Sequence, residues 1–308
     1  MKKIKKKYTN VKKILIEKNS IGQRIDNFIK KKFKKISKNA IYTMIRKGRI
    51  RINKKRAKAK NKLKKNDIIR IPPIYKINKN KKKNICIKYY AKIIKKRILY
   101  EDKYLIIINK PKKIAVHGGS GISFGIIEIM RFIYTIEKNL ELVHRLDKET
   151  SGILLISKKK FVLKSLHEQI KNRTTKKTYI AAIHGSWPKK IKTIKFPLLK
   201  TKNIFGKRLV IVNKNGKVSE TKFKIKKKYK NITILKIILI TGRTHQIRVH
   251  TSQIGYPIVN DNRYGNRNLD KKININNKNL CLHACKFSFV HPKTKEKINI
   301  TSNEKIIL

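Results

Sequence analysis

Asp147 is the residue around which this sequence offers the most chemistry. It lies in the run LVHRLDKETSG (142–152), between Arg145 and Lys148, and is one of only six aspartates. Nearby cations favour the ionised carboxylate, the form that covalent attack or base chemistry requires. The polar run opens directly onto apolar Ile153 to Ile156, and a loop held by a buried strand is where a rigid scaffold displays reactive groups. Taken alone, a surface Arg–Asp pair that stabilises a turn explains this run equally well. A second run, TGRTHQIRVH (241–250), brings Arg243, His245, Arg248 and His250 within eight residues after a long apolar stretch. Its spacing reads as a helix start able to grip phosphate, with Arg248 one turn beyond Thr244.

Three other clusters carry less. The glycine-rich turn from Val116 to Gly121 lacks both the GxxxxGK[ST] order and a GxGxxG signature with an acidic ribose ligand, so nucleotide binding is not expected there. Cys281, His283 and Cys285 lie in an apolar, strand-like context without a second ligand pair, which favours buried small residues over zinc. Asp147 and Glu149, two residues apart on one loop, give no reason for the carboxylate separation that sugar hydrolysis needs. No metal and no cofactor are expected.

The elements that must position these groups follow from periodicity. From Gln23 the apolar residues Ile25, Phe28, Ile29 and Phe33 mark one helical face, and a second short helix runs from a Ser37 cap through Ile41, Met44 and Ile45 to Gly48. Residues 49–53 and 67–71 read as strands, so two basic helices pack on a small sheet. Residues 75–84 read as a solvated linker, and Met1 to Lys18 as a basic extension with a short strand around Ile14 to Ile16. From Ile98 longer apolar strands alternate with helices: strands at 104–108, 153–156, 179–183, 232–240 and 285–290, helices around 126–133 and 161–170. This is a mixed domain with one central core.

Composition bounds the partners. The 308 residues hold 83 Lys plus Arg against 16 Asp plus Glu, a net charge of +67, and 40% hydrophobic residues are enough for a real core. Of the cations 68 are Lys and 15 are Arg, a bias that drift toward AT-rich codons also produces. Distribution is less easily explained by drift. Residues 1–100 carry 38 basic side chains against 3 acidic ones, and five of the 15 Arg fall between Arg24 and Arg56. Nucleic acid is the leading partner and anionic membrane the second. Three cysteines are too few for a disulfide framework, and no run approaches the length of a membrane span, so a cytoplasmic protein is expected.

Two resemblances sharpen this. Residues 20–73, through Gln23-Arg24-Ile25-Asp26, residues 45–53 and Asn66-Asp67-Ile68-Ile69, resemble an S4-type RNA-binding domain. That resemblance implies binding of structured RNA through the helical face, with Arg24, Arg46, Lys47, Arg49 and Arg51 as contacts. Residues 98–292 resemble the RluA-type pseudouridine synthases, whose HRLDxxTSG and GRTHQxRVH segments occur here in order. Asn109-Lys110-Pro111, Lys177-Thr178-Tyr179-Ile180-Ala181, Gly255-Tyr256-Pro257-Ile258 and Asp261-Asn262-Arg263-Tyr264-Gly265 extend the match. An S4 domain in front is the arrangement of the ribosomal RNA branch, and residues 116–125 and 165–169 are most like its large-subunit members. The resemblance implies isomerisation of uridine to pseudouridine in large-subunit ribosomal RNA, without a cofactor. It assigns Asp147 as the catalytic aspartate, Tyr179 as the residue that stacks on uracil, Arg248 as the partner of Asp147, and Arg145 as the filler of the space left by an extruded uridine. A target inside folded RNA has to be flipped out, and an aromatic platform with a planar cation offsets the lost stacking. The expected fold class is α+β: a small S4-type domain, then a mixed α/β catalytic domain with a central, largely antiparallel sheet. Expected boundaries are 1–19 for the extension, 20–83 for the S4-like domain, 84–97 for a basic linker and 98–308 for the catalytic domain. A monomer is expected. The rival reading is a non-catalytic RNA-binding or ribosome-assembly factor.

Overall fold

Short amphipathic helices in the first third and unbroken apolar strands in the rest sort the chain into two units, residues 1–82 and 83–308, in the computed structural model. The structure describes residues 10–17, 20–33, 36, 38–73, 79–119, 122–137, 139–202, 208–273 and 278–303. The Ser37 cap, residues 1–9 and Lys18 of the extension, residues 75–78 of the segment read as a solvated linker and the end of the glycine turn at Ser120 and Gly121 lie outside them.

The first unit runs β1 (Lys12–Leu15), α1 (Ile25–Lys32), α2 (Lys38–Arg46), β2 (Arg51–Ile52), β3 (Lys55–Arg56) and β4 (Ile68–Ile71). Its strands form an antiparallel sheet in the order β1-β4-β2-β3. Ile25, Phe28 and Ile29 of α1 and Ile41 and Ile45 of α2 share one core with Ile50, Leu63, Ile69 and Ile71. Side chains alternate along a strand, so Ile69 and Ile71 face that core while Ile68 and Arg70 face away. Two basic helices on a small sheet is the arrangement the apolar spacing predicts.

The linker expected over 84–97 is corrected. Helix α3 (Lys79–Lys95) occupies most of it, with Ile87, Ala91 and Ile94 buried at i, i+4, i+7 spacing. Ala91 and Ile94 join the core of the second unit. Ile85 and Tyr89, apolar but exposed on the opposite side of the helix, blur the period of the stripe, and lysines are scattered along the segment.

The second unit continues with β5 (Ile98–Glu101), β6 (Leu105–Lys110), α4 (Ile126–Ile133), β7 (Glu141–Leu142), β8 (Ser151–Ser157), α5 (Lys160–Lys171) and β9 (Lys176–His184). Then come β10 (Thr193–Ile194), β11 (Leu198–Lys202), β12 (Arg208–Val212), β13 (Thr221–Lys228) and β14 (Ile232–Leu239). Last are α6 (Gln246–Gln253), α7 (Arg267–Lys272), β15 (Leu282–Val290) and β16 (Lys297–Thr301). A ten-stranded sheet has the order β10-β13-β14-β9-β15-β8-β6-β5, with β7 on β8 and β16 on β15; β11 and β12 pair separately. Its pairings are antiparallel except β8 with β15.

The sheet is buried on both faces, which is why β6 and β8 read as continuous apolar runs rather than alternating ones. Ile106, Ile108, Leu154 and Ile156 meet Ile126, Ile129 and Met130 of α4 on one side. Leu105, Ile107, Ile153 and Leu155 meet Val162 and Leu166 of α5 on the other. Where β8 begins, Ser151 and Gly152 pair with His283 and Ala284 of β15. Gly152 has φ +114 there, and a Cβ would collide with the Ala284 main chain, so glycine is required for this close approach. The loop carrying Asp147 therefore leaves the sheet at a fixed point near its centre.

Candidate active site

Residues 142–147 with Thr150, Tyr179 of β9 and residues 239–248 converge on an open cleft of about 890 Å³ in the second unit. The loop is anchored on several sides. His144 stacks on Phe287 with ring centroids 5.0 Å apart, and its Nε2 accepts the Leu155 N–H at 3.2 Å. Burial, with Lys177 adding to it, pushes this imidazole down to about 3, so it is a neutral acceptor in the wall rather than an acid. Fully buried Lys110 donates to the carbonyls of Pro111 and Ile114 at 2.9 Å each and of Lys148 at 3.2 Å. Burial pulls its pKa down to about 7, against the opposing pull of Asp147 and Glu149. Ser151 Oγ lies 2.9 Å from His283 Nδ1, and His283 Nε2 lies 3.0 Å from Ser302 Oγ. The carboxylate of Asp147 thus hangs from a loop tied to β6, β8 and β15.

Arg248 meets it from α6. Its Nη1 lies 3.3 Å from Asp147 Oδ2, while Nε and Nη2 donate to Asp261 Oδ2 and Oδ1 at 2.7 and 2.6 Å. The two-pronged bond to Asp261 fixes the guanidinium plane and leaves the third nitrogen for Asp147. Tyr264 lies against the guanidinium, with its ring centroid 5.1 Å from Cζ. Asp261 also accepts the main-chain N–H groups of Arg263 and Tyr264. Burial pushes the Asp261 carboxyl up, but these bonds together hold it below the ordinary carboxylate range. For Arg248 burial works downward, and the two carboxylates outweigh it.

His245 completes the surroundings. It stands before α6 in the left-handed region at φ 54, and its Nε2 lies 3.8 Å from Asp147 Oδ2. Its Nδ1 lies 2.7 Å from the Tyr264 hydroxyl, which accepts the Val210 N–H of β12. Burial lowers its pKa most, with Arg248 and Arg263 adding to the shift and Asp147 opposing it. The phenol of Tyr179 is raised by burial and then by the charge of Asp147, so it keeps its proton at neutral pH. Arg145 is exposed at the rim of the cleft.

Asp147, Arg145, Tyr179 and Arg248 are thus brought together. The sequence reading assigned no part to Asp261, Tyr264 or Lys110, although all lie in the motifs it quoted, and it counted His245 only among the groups of a phosphate-gripping helix start. Asp261 carried the strongest signal, being another of the scarce aspartates. In the first unit Arg46, Lys47, Arg49 and Arg51 are exposed over the α2–β2 connection. Arg24 instead spends its guanidinium on Asp26, with bonds of 3.1 and 2.7 Å, and Asp26 also accepts the Tyr42 hydroxyl. Among the described residues no group of three His, Cys, Asp or Glu side chains is placed to hold a metal ion. Cys281 and Cys285 are buried. No helix of the described residues is long and apolar enough to cross a membrane.

Comparison with known proteins agrees with this geometry. Residues 104–253 match the RNA pseudouridylate synthase family, and residues 23–69 match the S4 domain. The ribosomal large subunit pseudouridine synthase C of Buchnera aphidicola subsp. Schizaphis graminum is 51% identical over 303 residues, 97% of this chain and 96% of that protein. The protein of the same name from Haemophilus influenzae is 45% identical over 96% of this chain and 92% of its own length. Human RNA pseudouridylate synthase domain containing 4 shares the fold, with a TM-score of 0.58 at 23% identity over 71% of this chain and 93% of that one. Identity of this order along nearly the whole chain, together with the match of its own residues to the family, means that the chain belongs to the RNA pseudouridine synthase family of enzymes.

Proposed function

We propose that the protein isomerises uridines of large-subunit ribosomal RNA, with Asp147 as the catalytic carboxylate. The observation that carries this reading is the aspartate itself, held in an open cleft by a buried arginine whose other nitrogens are committed to Asp261. The names of the relatives supply the substrate class.

In the reaction the N1–C1′ bond of uridine breaks, the base turns, and a C5–C1′ bond forms. N1 gains a proton and C5 loses one, so atoms balance without redox or an external co-reactant. Whether the carboxylate of Asp147 attacks the nucleotide or takes a proton from it, the ionised form is needed, and Arg248 favours that form. Tyr179 offers a buried aromatic face and a retained phenolic proton beside the base. Arg145, at the rim, fills the gap in the RNA stack once the uridine is turned out. On the first unit, Arg46, Lys47 and Arg49, exposed over the α2–β2 connection, and Arg24, still partly exposed beside Asp26, are the proposed contacts to RNA phosphates on the helical side, and Arg51 of β2 is a proposed contact on the opposite face of the sheet.

The test is Asp147→Asn, which keeps size and removes the charge. Pseudouridine formation in large-subunit RNA is expected to fall by roughly 10⁴-fold or more while RNA affinity stays close to wild type. Modification that persists at the wild-type level in this variant would falsify the assignment.

A further inference from the structure

The sheet of the first unit carries a feature on the side away from its helices. Lys13 of β1 opposes Arg70 of β4, Arg70 opposes Arg51 of β2, and Arg51 opposes Arg56 of β3. One cation from each strand therefore stands in a single row, about 14 Å long if neighbouring strands lie ~4.8 Å apart. The row is on the outer face, because Ile69 and Ile71 on either side of Arg70 are fully buried beneath it. Like charges directly opposite one another destabilise a sheet, and here three such pairs run consecutively. Drift toward lysine does not explain the row either: three of its four members are Arg, in a chain with 15 Arg to 68 Lys. Neither aspartate of the first unit is bonded to the row, since Asp26 takes Arg24 and Tyr42, and Asp67 takes Asn53 and the Lys64 N–H.

The guanidinium groups lean toward the α2–β2 connection. Arg56 Nη2 reaches the Arg46 carbonyl, Arg51 Nε the Gly48 carbonyl and Arg70 Nη1 the Arg49 carbonyl, each at 3.4 Å. Each contact is long and uses one of five N–H groups, so the forks keep their capacity for two-pronged phosphate contacts. Gly48, at φ +64, makes room for this cluster, because a Cβ there would collide with the Arg56 guanidinium. Beside the row, Leu15 opposes Ile68, and they are 57% and 46% exposed. This aliphatic pair offers a surface for a ribose or the face of a base.

We propose that the outer face of this sheet is a further phosphate-binding surface, which extends the seat for the backbone of structured RNA from the α2–β2 connection across the sheet. The inference rests on the reading of the protein as an RNA-binding enzyme. Its test uses the full chain and a fragment of large-subunit ribosomal RNA, comparing wild type with a Lys13→Gln/Arg56→Gln/Arg70→Gln variant. The slope of log affinity against log salt is expected to become shallower by roughly 2 to 3, with affinity lower on the order of tenfold or more near 0.1 M salt. The melting temperature should hold or rise, since the row's like-charge oppositions are relieved, so weaker binding cannot be ascribed to unfolding. Arg56→Lys/Arg70→Lys retains the charges and should retain the slope.

A wild-type slope and affinity in the Gln variant overturn the proposal. So does an equally shallow slope in the Lys variant, or a loss confined to anionic phospholipid vesicles while RNA binding is unchanged. Wild-type protein that binds RNA steeply but forms no pseudouridine sinks the enzymatic reading and leaves the sheet face standing.

Discussion

Arg248 divides one guanidinium between two carboxylates with unequal claims. Asp261 takes two short bonds and Asp147 one longer one, so the first acts as a clamp and the second is the group presented to the cleft. Asp261→Asn keeps the shape but loosens the clamp. Turnover is expected to fall on the order of 10²-fold with RNA affinity little changed, because a small misplacement of a reacting group costs about that much. The same substitution reports on acid stability. The folded carboxyl titrates below its unfolded value near 3.9, so its contribution is complete above that pH and is lost as pH falls through the folded value. The stability gap between wild type and variant, read from urea titrations followed by far-ultraviolet circular dichroism, should therefore narrow as pH falls below about 3.9. At neutral pH the variant should be about 3 kcal/mol less stable in urea, since a buried cation loses its charged partner. Of these residues, Asp147 and Arg248 were visible in the sequence as charges in two polar runs, and the family resemblance made their expected roles legible. The roles of Asp261 and Lys110 were not, since they depend on contacts across 13 and 38 residues that no local pattern encodes.

At the scale of elements, the junction of β8 and β15 decides where the reactive loop points. Gly152→Ala places a Cβ against the Ala284 main chain and forces a residue with φ +114 into a region that alanine avoids. A loss of roughly 2 kcal/mol or more is expected in denaturant titration, with activity falling further than stability alone requires. Unchanged stability in that variant would mean that the strands can separate here without cost. The long strands and the helices α1, α2, α4 and α5 could be read from periodicity because burial on one or both faces writes itself into the apolar pattern. Strand β13 could not, since its sequence TKFKIKKK buries only Thr221 and Phe223 and exposes lysines along the rest. Helix α3 was hidden for a different reason, since apolar Ile85 and Tyr89 on its exposed side blur the period of its buried stripe. The turn into α6 was legible as a helix start, but not the left-handed His245 that aims one imidazole nitrogen at Asp147 and the other at Tyr264.

For the molecule as a whole, a net charge of +67 and a reaction centre built from a handful of side chains imply two kinds of salt response. Affinity for RNA should fall steeply as salt rises, because each neutralised phosphate releases counterions. The single-turnover rate on saturating RNA should respond much less, because Asp147, Arg248 and Asp261 are screened only weakly inside the cleft. Rapid-quench measurements across 50 to 300 mM salt, about a twofold change in Debye length, separate the two, and parallel declines would count against the division. Topology adds a consequence in time. β15 sits between β9 and β8 in the finished sheet, yet its His283 is separated by 132 residues from Ser151, which it holds beside the reactive loop. A domain folds as a unit, so the loop gains its β15 anchor only once that strand has been made and joins the sheet between β9 and β8. A shortened chain that stops before β15 lacks this anchor, and it is expected to form no pseudouridine even where it binds RNA.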